Sequence, residues 1–166
     1  MSSWEVRRGR AIGVDVGRAR VGVASSDPDG LLATPVATLR RDARHGRDLG
    51  ELVRHVDEHE AVVVYVGLPV NLRGEHTPST QDALDYAARL ERALGAAGRP
   101  VPVHLVDERL STVTAQAGLR SAGRTVKDSR SVIDQAAAVA ILQAAIDEQR
   151  RTGAWAGQPA TTEETP

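Results

Sequence analysis

Three acidic positions stand where acids are costly. Asp15 lies in GVDVG, a run with the composition of a strand interior, where Asp is depleted and an unpaired buried charge is unfavourable. Asp107 and Glu108, followed by Arg109, come directly after the apolar run VPVHLV. Asp134 sits among Val132, Ile133, Ala136, Ala137, Val139, Ala140 and Ile141, which make a helix start apolar nearly all round, so this acid is expected to face the protein. Each also has a purely structural explanation. Asp15 can cap the turn at Gly17 or Arg18, Asp107 can cap a following helix while Arg109 neutralises Glu108, and Ser131 with Asp134 has the spacing of a capping box. If the acids converge, they repel, and the usual remedies are a raised pKa or a hard divalent cation such as Mg²⁺ or Mn²⁺. A pair of such ions suits in-line displacement at a phosphodiester.

Other residue types narrow the chemistry. The chain has no cysteine, which removes disulfides, thiolate nucleophiles and cysteine-bound zinc, and agrees with a reducing compartment. With 21 basic and 22 acidic residues the net charge is −1, so overall charge announces no polyanion partner. Its distribution does: residues 109–130 hold Arg109, Arg120, Arg124, Lys127 and Arg130 against the single acid Asp128. That basic stretch reads as a surface for a phosphate backbone. Trp4, Tyr65, Tyr86 and Trp155 are the only aromatics, too few for a platform that stacks splayed bases.

The elements that must position the acids follow from periodicity. Arg10 to Val16 and Val21 to Ser25 are β-rich runs around Gly17-Arg18-Ala19-Arg20, the pattern of a hairpin, and Gly17 and Gly22 are read as serving its backbone. Leu31 to Leu39 is a third strand, placed at a sheet edge by Pro35. Apolar residues at helical spacing predict a helix over Asp48 to His59, then Ala61 to Val66 reads as a strand covered on both faces. A helix over Ser79 to Ala96, a strand over Val101 to Val106, and helices over Ser111 to Ala122 and Ser131 to Arg151 complete the order. The expected architecture is α/β: a mixed five-stranded sheet, three strands antiparallel and two parallel, flanked by helices. Residues 1–9 read as an N-terminal arm, 10–151 as one domain, and 152–166, small and polar with prolines, as a disordered tail.

Four motifs in order resemble the YqgF family. They are GVDVGRARVGVASSD, with Asp15, Gly17, Arg20, Gly22 and Ala24 in a D-x-G-x-x-R-x-G-x-A frame; VGLPVNLRGE; VDERLSTVTA; and VIDQAAAVAIL. The resemblance spans about Gly9 to Arg151 and implies an RNase H-like fold. It implies a nuclease that processes the 5′ end of pre-16S ribosomal RNA, or one that resolves DNA Holliday junctions. It also implies that Asp15, Glu108 and Asp134 are the catalytic, metal-binding acids for Mg²⁺ or Mn²⁺. Asp107 is the less favoured ligand, because strand alternation sends it and Glu108 to opposite sides. No second acid lies within a turn after Asp134, where related resolvases carry one, so the site can be a one-metal or incomplete one.

Substrate contacts are expected from Arg20, Asn71, Arg73, Arg109, Arg124, Lys127 and Arg130; His76, in the loop from Val70 to Thr80, is a minor candidate for a general base. The expected partner is structured nucleic acid, RNA before DNA, with ribosome-assembly factors as further partners and monomer or homodimer left open. A non-catalytic binding module with a vestigial site is the competing function. An actin-like ATPase is disfavoured, since that architecture needs a duplicated domain and no repeat is present. No apolar run reaches the roughly 20 residues of a membrane helix, and the N-terminus lacks an apolar segment of the signal-peptide kind, which together point to the cytoplasm.

Overall fold

A computed structural model describes residue 6, residues 8–110 and residues 126–161, with the side chains of residues 110 and 126–132 left undescribed. Six strands form one sheet in the order β3-β2-β1-β4-β5-β6. They are β1 (Ala11–Val16), β2 (Arg20–Ser26), β3 (Ala33–Arg40), β4 (Val63–Leu68), β5 (Val103–Asp107) and β6 (Gln158–Pro159). The pairs β1–β2, β2–β3 and β5–β6 are antiparallel, whereas β1–β4 and β4–β5 are parallel. Pro35 does lie on an edge strand, opposite Ala24 beside a register irregularity, where its missing N–H costs no ladder bond on the outer side.

Helices α1 (Arg47–Glu58) and α2 (Pro78–Ala96) cover one face. Strand alternation turns Ile12, Val14, Val21, Val23, Val64, Val66, Val103 and Leu105 toward them, where Leu49, Leu52, Val56, Leu90 and Leu94 complete the larger core. The opposite face carries α3 (Val126–Thr152) on a bed of Ala11, Ala24, Val63, Tyr65 and Val106. Between β5 and α3 only a single 3₁₀ turn, Glu108–Leu110, is described, and the helix expected over Ser111 to Ala122 lies outside the described residues. Among the described residues, no helix is long and apolar enough to cross a membrane.

Two expectations need correction. The helix bearing Asp134 starts at Val126 rather than Ser131, so this acid lies well inside the helix and belongs to no cap at its start. The sheet has a sixth strand because the chain beyond Arg151, expected to be a disordered tail, is folded as far as residue 161. Gly153 (φ 75°) and Gly157 (φ 66°) turn it back, Ala156 is 1% exposed, and Ala160 N–H donates to the Val103 carbonyl at 2.8 Å. The Tyr65 hydroxyl donates to Gln149 Oε1 at 2.6 Å and accepts from Ala156 N at 3.2 Å, fastening the segment to β4 and α3. Composition concealed this, since small and polar residues dominate the segment, and beside Trp155, which packs against the core under α3 and against His104, the anchors are main-chain groups and two left-handed glycines.

Gly157 has no room for a side chain: a Cβ there would stand 1.9 Å from the Leu105 carbonyl oxygen. Gly157→Ala is expected to cost about 1–3 kcal/mol, through both the left-handed backbone and the clash, and to speed amide exchange along β5. Exchange unchanged along β5 would mean that the returning segment does not protect that edge.

Candidate active site at the carboxyl ends of the strands

In an open α/β sheet, ligand groups collect beyond the carboxyl ends of the strands, near the point where the order changes direction. That point here is β1, with β2 on one side and β4 on the other. Asp15 is the penultimate residue of β1, Gly67 and Leu68 end β4, and Glu108 follows β5. The carboxyls of Asp15 and Glu108 share a hydrogen bond. Burial, the charge of Glu108 and the charge of Asp134 together push Asp15 up to about 7. Glu108 is also raised, chiefly by burial.

Asp134 reaches the same neighbourhood from α3. Its Oδ2 accepts from Arg20 Nε at 2.7 Å, and its side chain is 15% exposed. The close approach of α3 depends on glycines that face it. Gly22, the register partner of Asp15, lies so near α3 that a Cβ would come within 1.9 Å of the Asp134 carbonyl oxygen. At Gly13 a Cβ would meet Leu142 Cβ at 2.6 Å and the Ala138 carbonyl oxygen at 2.9 Å. At Gly67 it would meet Ile141 Cδ1 at 2.4 Å and lie 3.7 Å from Glu108 Oε2. The sheet thus has a side-chain-free trough beneath the helix. Gly22 therefore serves the seat of α3 as well as its hairpin, a role signalled in the sequence only by glycine at alternating, inward positions of apolar strands.

Asp107 points elsewhere. Arg109 embraces it, with Nη2 to Oδ2 at 2.6 Å and Nε to both oxygens at 3.1 Å, while Arg109 N donates to Oδ1 at 2.9 Å. The guanidinium holds this carboxyl below its usual range. Arg109 also lies against Gly74 in the loop after β4, within 3.5 Å of where a Cβ would stand. In that loop Asn71 is consumed internally. Its Oδ1 accepts from the N–H groups of Arg73 and Glu75, both at 2.9 Å, and its Nδ2 donates to Glu75 Oε1 at 3.0 Å. This staple presents Leu72, 96% exposed, and the exposed Arg73 at the tip. His76 lines a cavity of about 320 Å³ with Asp107 and Arg109, which neither Asp15 nor Glu108 lines. Arg124, and the side chains of Lys127 and Arg130, lie outside the described residues.

Nothing in the sequence around Arg41 marks it as a functional residue. Its Nη1 donates to the Gly17 carbonyl at 2.9 Å and to Asp82 at 2.8 Å, its N–H donates to the Ala19 carbonyl at 2.9 Å, and its guanidinium lies 5.0 Å from the Tyr86 ring centroid. It therefore ties the turn that carries Arg20 to α2.

Among the described residues, no three His, Cys, Asp or Glu side chains are drawn together closely enough to grip a metal ion as they stand. Asp15 and Glu108 hold one another and Asp134 holds Arg20. Their chemistry nevertheless suits a hard cation: oxygen donors only, partly withdrawn from water, and mutually repelling.

A sequence profile of the RuvX family, described as Holliday junction resolvase, matches residues 9–148. The chain belongs to the RuvX family. Its relatives include a Mycobacterium ulcerans protein, provisionally named pre-16S rRNA nuclease, which is 56% identical over 143 residues, covering 86% of this chain and 81% of that one. A Mycobacteroides abscessus protein of the same name is 51% identical over 152 residues, 92% and 89% of the two chains. Among solved structures, Thermus thermophilus RuvC in complex with a Holliday junction substrate superposes with a TM-score of 0.61 at 16% identity, covering 91% of this chain and 99% of that one. At that identity the likeness speaks for the fold, which is RNase H-like. The reaction class of this RuvX-family chain is that of a nuclease, a hydrolase acting on phosphodiester bonds.

Proposed function

We propose that this RuvX-family chain is a metal-dependent nuclease of structured RNA, trimming the 5′ end of pre-16S ribosomal RNA in the cytoplasm. The observation that carries the reading is the hydrogen-bonded Asp15–Glu108 carboxyl pair at the carboxyl ends of β1 and β5, with Asp134 brought beside it by α3. Asp15, Glu108 and Asp134 would hold Mg²⁺ or Mn²⁺. Bound there, such an ion supplies Lewis-acid stabilisation of the phosphorane-like charge and lowers the pKa of the attacking water. The protein's own groups do the rest. Arg20, which contacts Asp134, and Arg109, beside Gly74, would hold phosphates on the β2 and β5 sides of the acids, and Arg73, at the tip of the stapled loop, would extend the second side. The names carried by the mycobacterial relatives support ribosomal RNA as the substrate. The family description supports a second reading, a DNA junction resolvase, whose symmetric cutting requires a two-fold dimer.

The test is cleavage of a labelled precursor spanning the 5′ end of small-subunit ribosomal RNA, beside a four-way DNA junction, in Mg²⁺, Mn²⁺ or EDTA. Cutting of the RNA alone, abolished by EDTA, is expected. Cutting of the junction alone by a dimer would replace this reading with the resolvase, and binding without cutting would leave a non-catalytic module.

A further inference from the structure

Several arginines that make no ion pair with an acid stand on one flank. The β3–α1 connection reads Arg40-Arg41-Asp42-Ala43-Arg44-His45-Gly46-Arg47, four arginines against one aspartate in a chain whose net charge is −1. It is stitched to the β1–β2 turn, which holds Arg18 and Arg20. Arg20 and Arg40 are register partners, Arg41 N donates to the Ala19 carbonyl, and Arg41 Nη1 donates to the Gly17 carbonyl. Arg20 itself contacts Asp134, so this flank begins at the acids and runs outward.

The local carboxylates are already engaged. Asp42 accepts from the N–H groups of His45 at 3.0 Å and Arg47 at 3.3 Å, which hold its carboxyl low, and Arg47 Nε lies 3.6 Å away. Asp48, 3% exposed, accepts from the Tyr86 hydroxyl at 3.0 Å. Asp82 binds Arg41 through both oxygens, at 2.8 and 3.1 Å. A cavity of about 340 Å³ here is lined by Asp42, Asp48 and Glu51 together with Arg40, Arg41, His45 and Arg47, so acidic and basic groups offset one another inside it. The exposed rim is different: among the described residues Arg18, Arg40 and Arg44 are exposed and make no ion pair. Solvated guanidinium groups on two joined connections, without Phe, Trp or Tyr in either, match the charge of a sugar–phosphate backbone rather than unstacked bases.

We propose that Arg18, Arg40 and Arg44 form a backbone-binding rim that holds the nucleic-acid helix on the β2–β3 side of the acids, opposite the Arg73–Arg109 side. The inference rests on the nuclease reading of the Asp15–Glu108 pair. Arg41, bound on three sides, positions the rim instead of contacting the substrate.

The experiment uses full-length Asp15→Asn protein, so that bound substrate stays uncut, and follows binding of a fluorescent RNA hairpin and a four-way DNA junction over a KCl series. Arg40→Ala/Arg44→Ala is compared with Arg92→Ala/Arg151→Ala, an equal charge change at exposed positions on the far parts of α2 and α3. The rim variant is expected to lose about two from the slope of log affinity against log salt, and roughly 10-fold in affinity per arginine near 0.1 M salt. Arg40→Lys/Arg44→Lys should recover most of the slope. A rim variant that weakens no more than the control, with binding otherwise intact, overturns the rim and leaves the nuclease reading standing. Absence of salt-dependent binding by the Asp15→Asn parent on either substrate overturns both. Equal melting temperatures for the three double variants are the check that each is folded.

Discussion

Asp15→Asn is expected to abolish cleavage, by on the order of 10³-fold or more, while making the metal-free protein more stable above neutral pH. The second half follows from proton linkage. Below the ordinary carboxylate value near 4, native and unfolded chains both carry the Asp15 proton and the residue adds no penalty. Between there and about 7 the unfolded chain ionises first, because burial, Glu108 and Asp134 hold the native carboxyl protonated. The native state then binds more protons, so stability falls as pH rises, and the loss is complete above about 7. Its size is about 4 kcal/mol at most. Asparagine removes the charge and keeps a donor toward Glu108. Melting in EDTA from pH 5 to 8.5 should therefore show wild type and variant diverging with pH, by up to about 10 °C at the alkaline end. Mg²⁺ or Mn²⁺ should raise the melting temperature of the wild type and leave the variant nearly unmoved. Parallel melting curves across the range would show that Asp15 bears no such strain, and full activity in the variant would remove it from the site.

Gly22→Ala carries the second large effect, and it acts through backbone alone. The new methyl would stand 1.9 Å from the Asp134 carbonyl oxygen and 2.5 Å from its carbon. No side-chain rotation on α3 relieves a clash with main-chain atoms, so the helix must lift. Overpacking of this kind costs about 1–3 kcal/mol or more. Asp134 moves with the helix, and a displacement near 1 Å at a reacting centre can cost about 100-fold in rate. Gly50→Ala is the matched control: Gly50 lies inside α1 with nothing within 4 Å of where the added methyl would stand, so alanine there should stabilise by roughly 0.5–1 kcal/mol. Comparable melting and activity for Gly22→Ala and wild type would mean that the trough does not set the position of Asp134.

The sequence exposed the central strands well because their physics is local. Asp15 stood out as an acid in an apolar strand, and the alternation that sends Asp107 away from Glu108 is visible in two adjacent residues. Pro35 marked its own strand as an edge. What resisted were relationships between distant segments. Nothing near Asp134 shows that α3 begins at Val126, and nothing near Gly22 shows that a helix over a hundred residues later rests upon it. Asn71 is legible in sequence only as a polar loop residue, whereas its bonds to the Arg73 and Glu75 amides, which brace the loop, appear only once the loop is folded. Arg41 has no distinguishing neighbours, and its value appears only when Gly17, Asp82 and Tyr86 surround it.

The folded segment after Arg151 bears on how the two functional readings can be separated. Its strand β6 covers the outer side of β5 at His104 and Leu105. A protein trimmed to the end of α3 at Thr152 would uncover a row of unpaired amides and carbonyls flanked by Val103 and Leu105, and such borders recruit one another. Two trimmed copies joining sheet to sheet would weigh as a dimer in solution, imitating the two-fold assembly that junction resolution demands. Only a chain retaining residues through 161 gives an oligomeric state that speaks to the substrate.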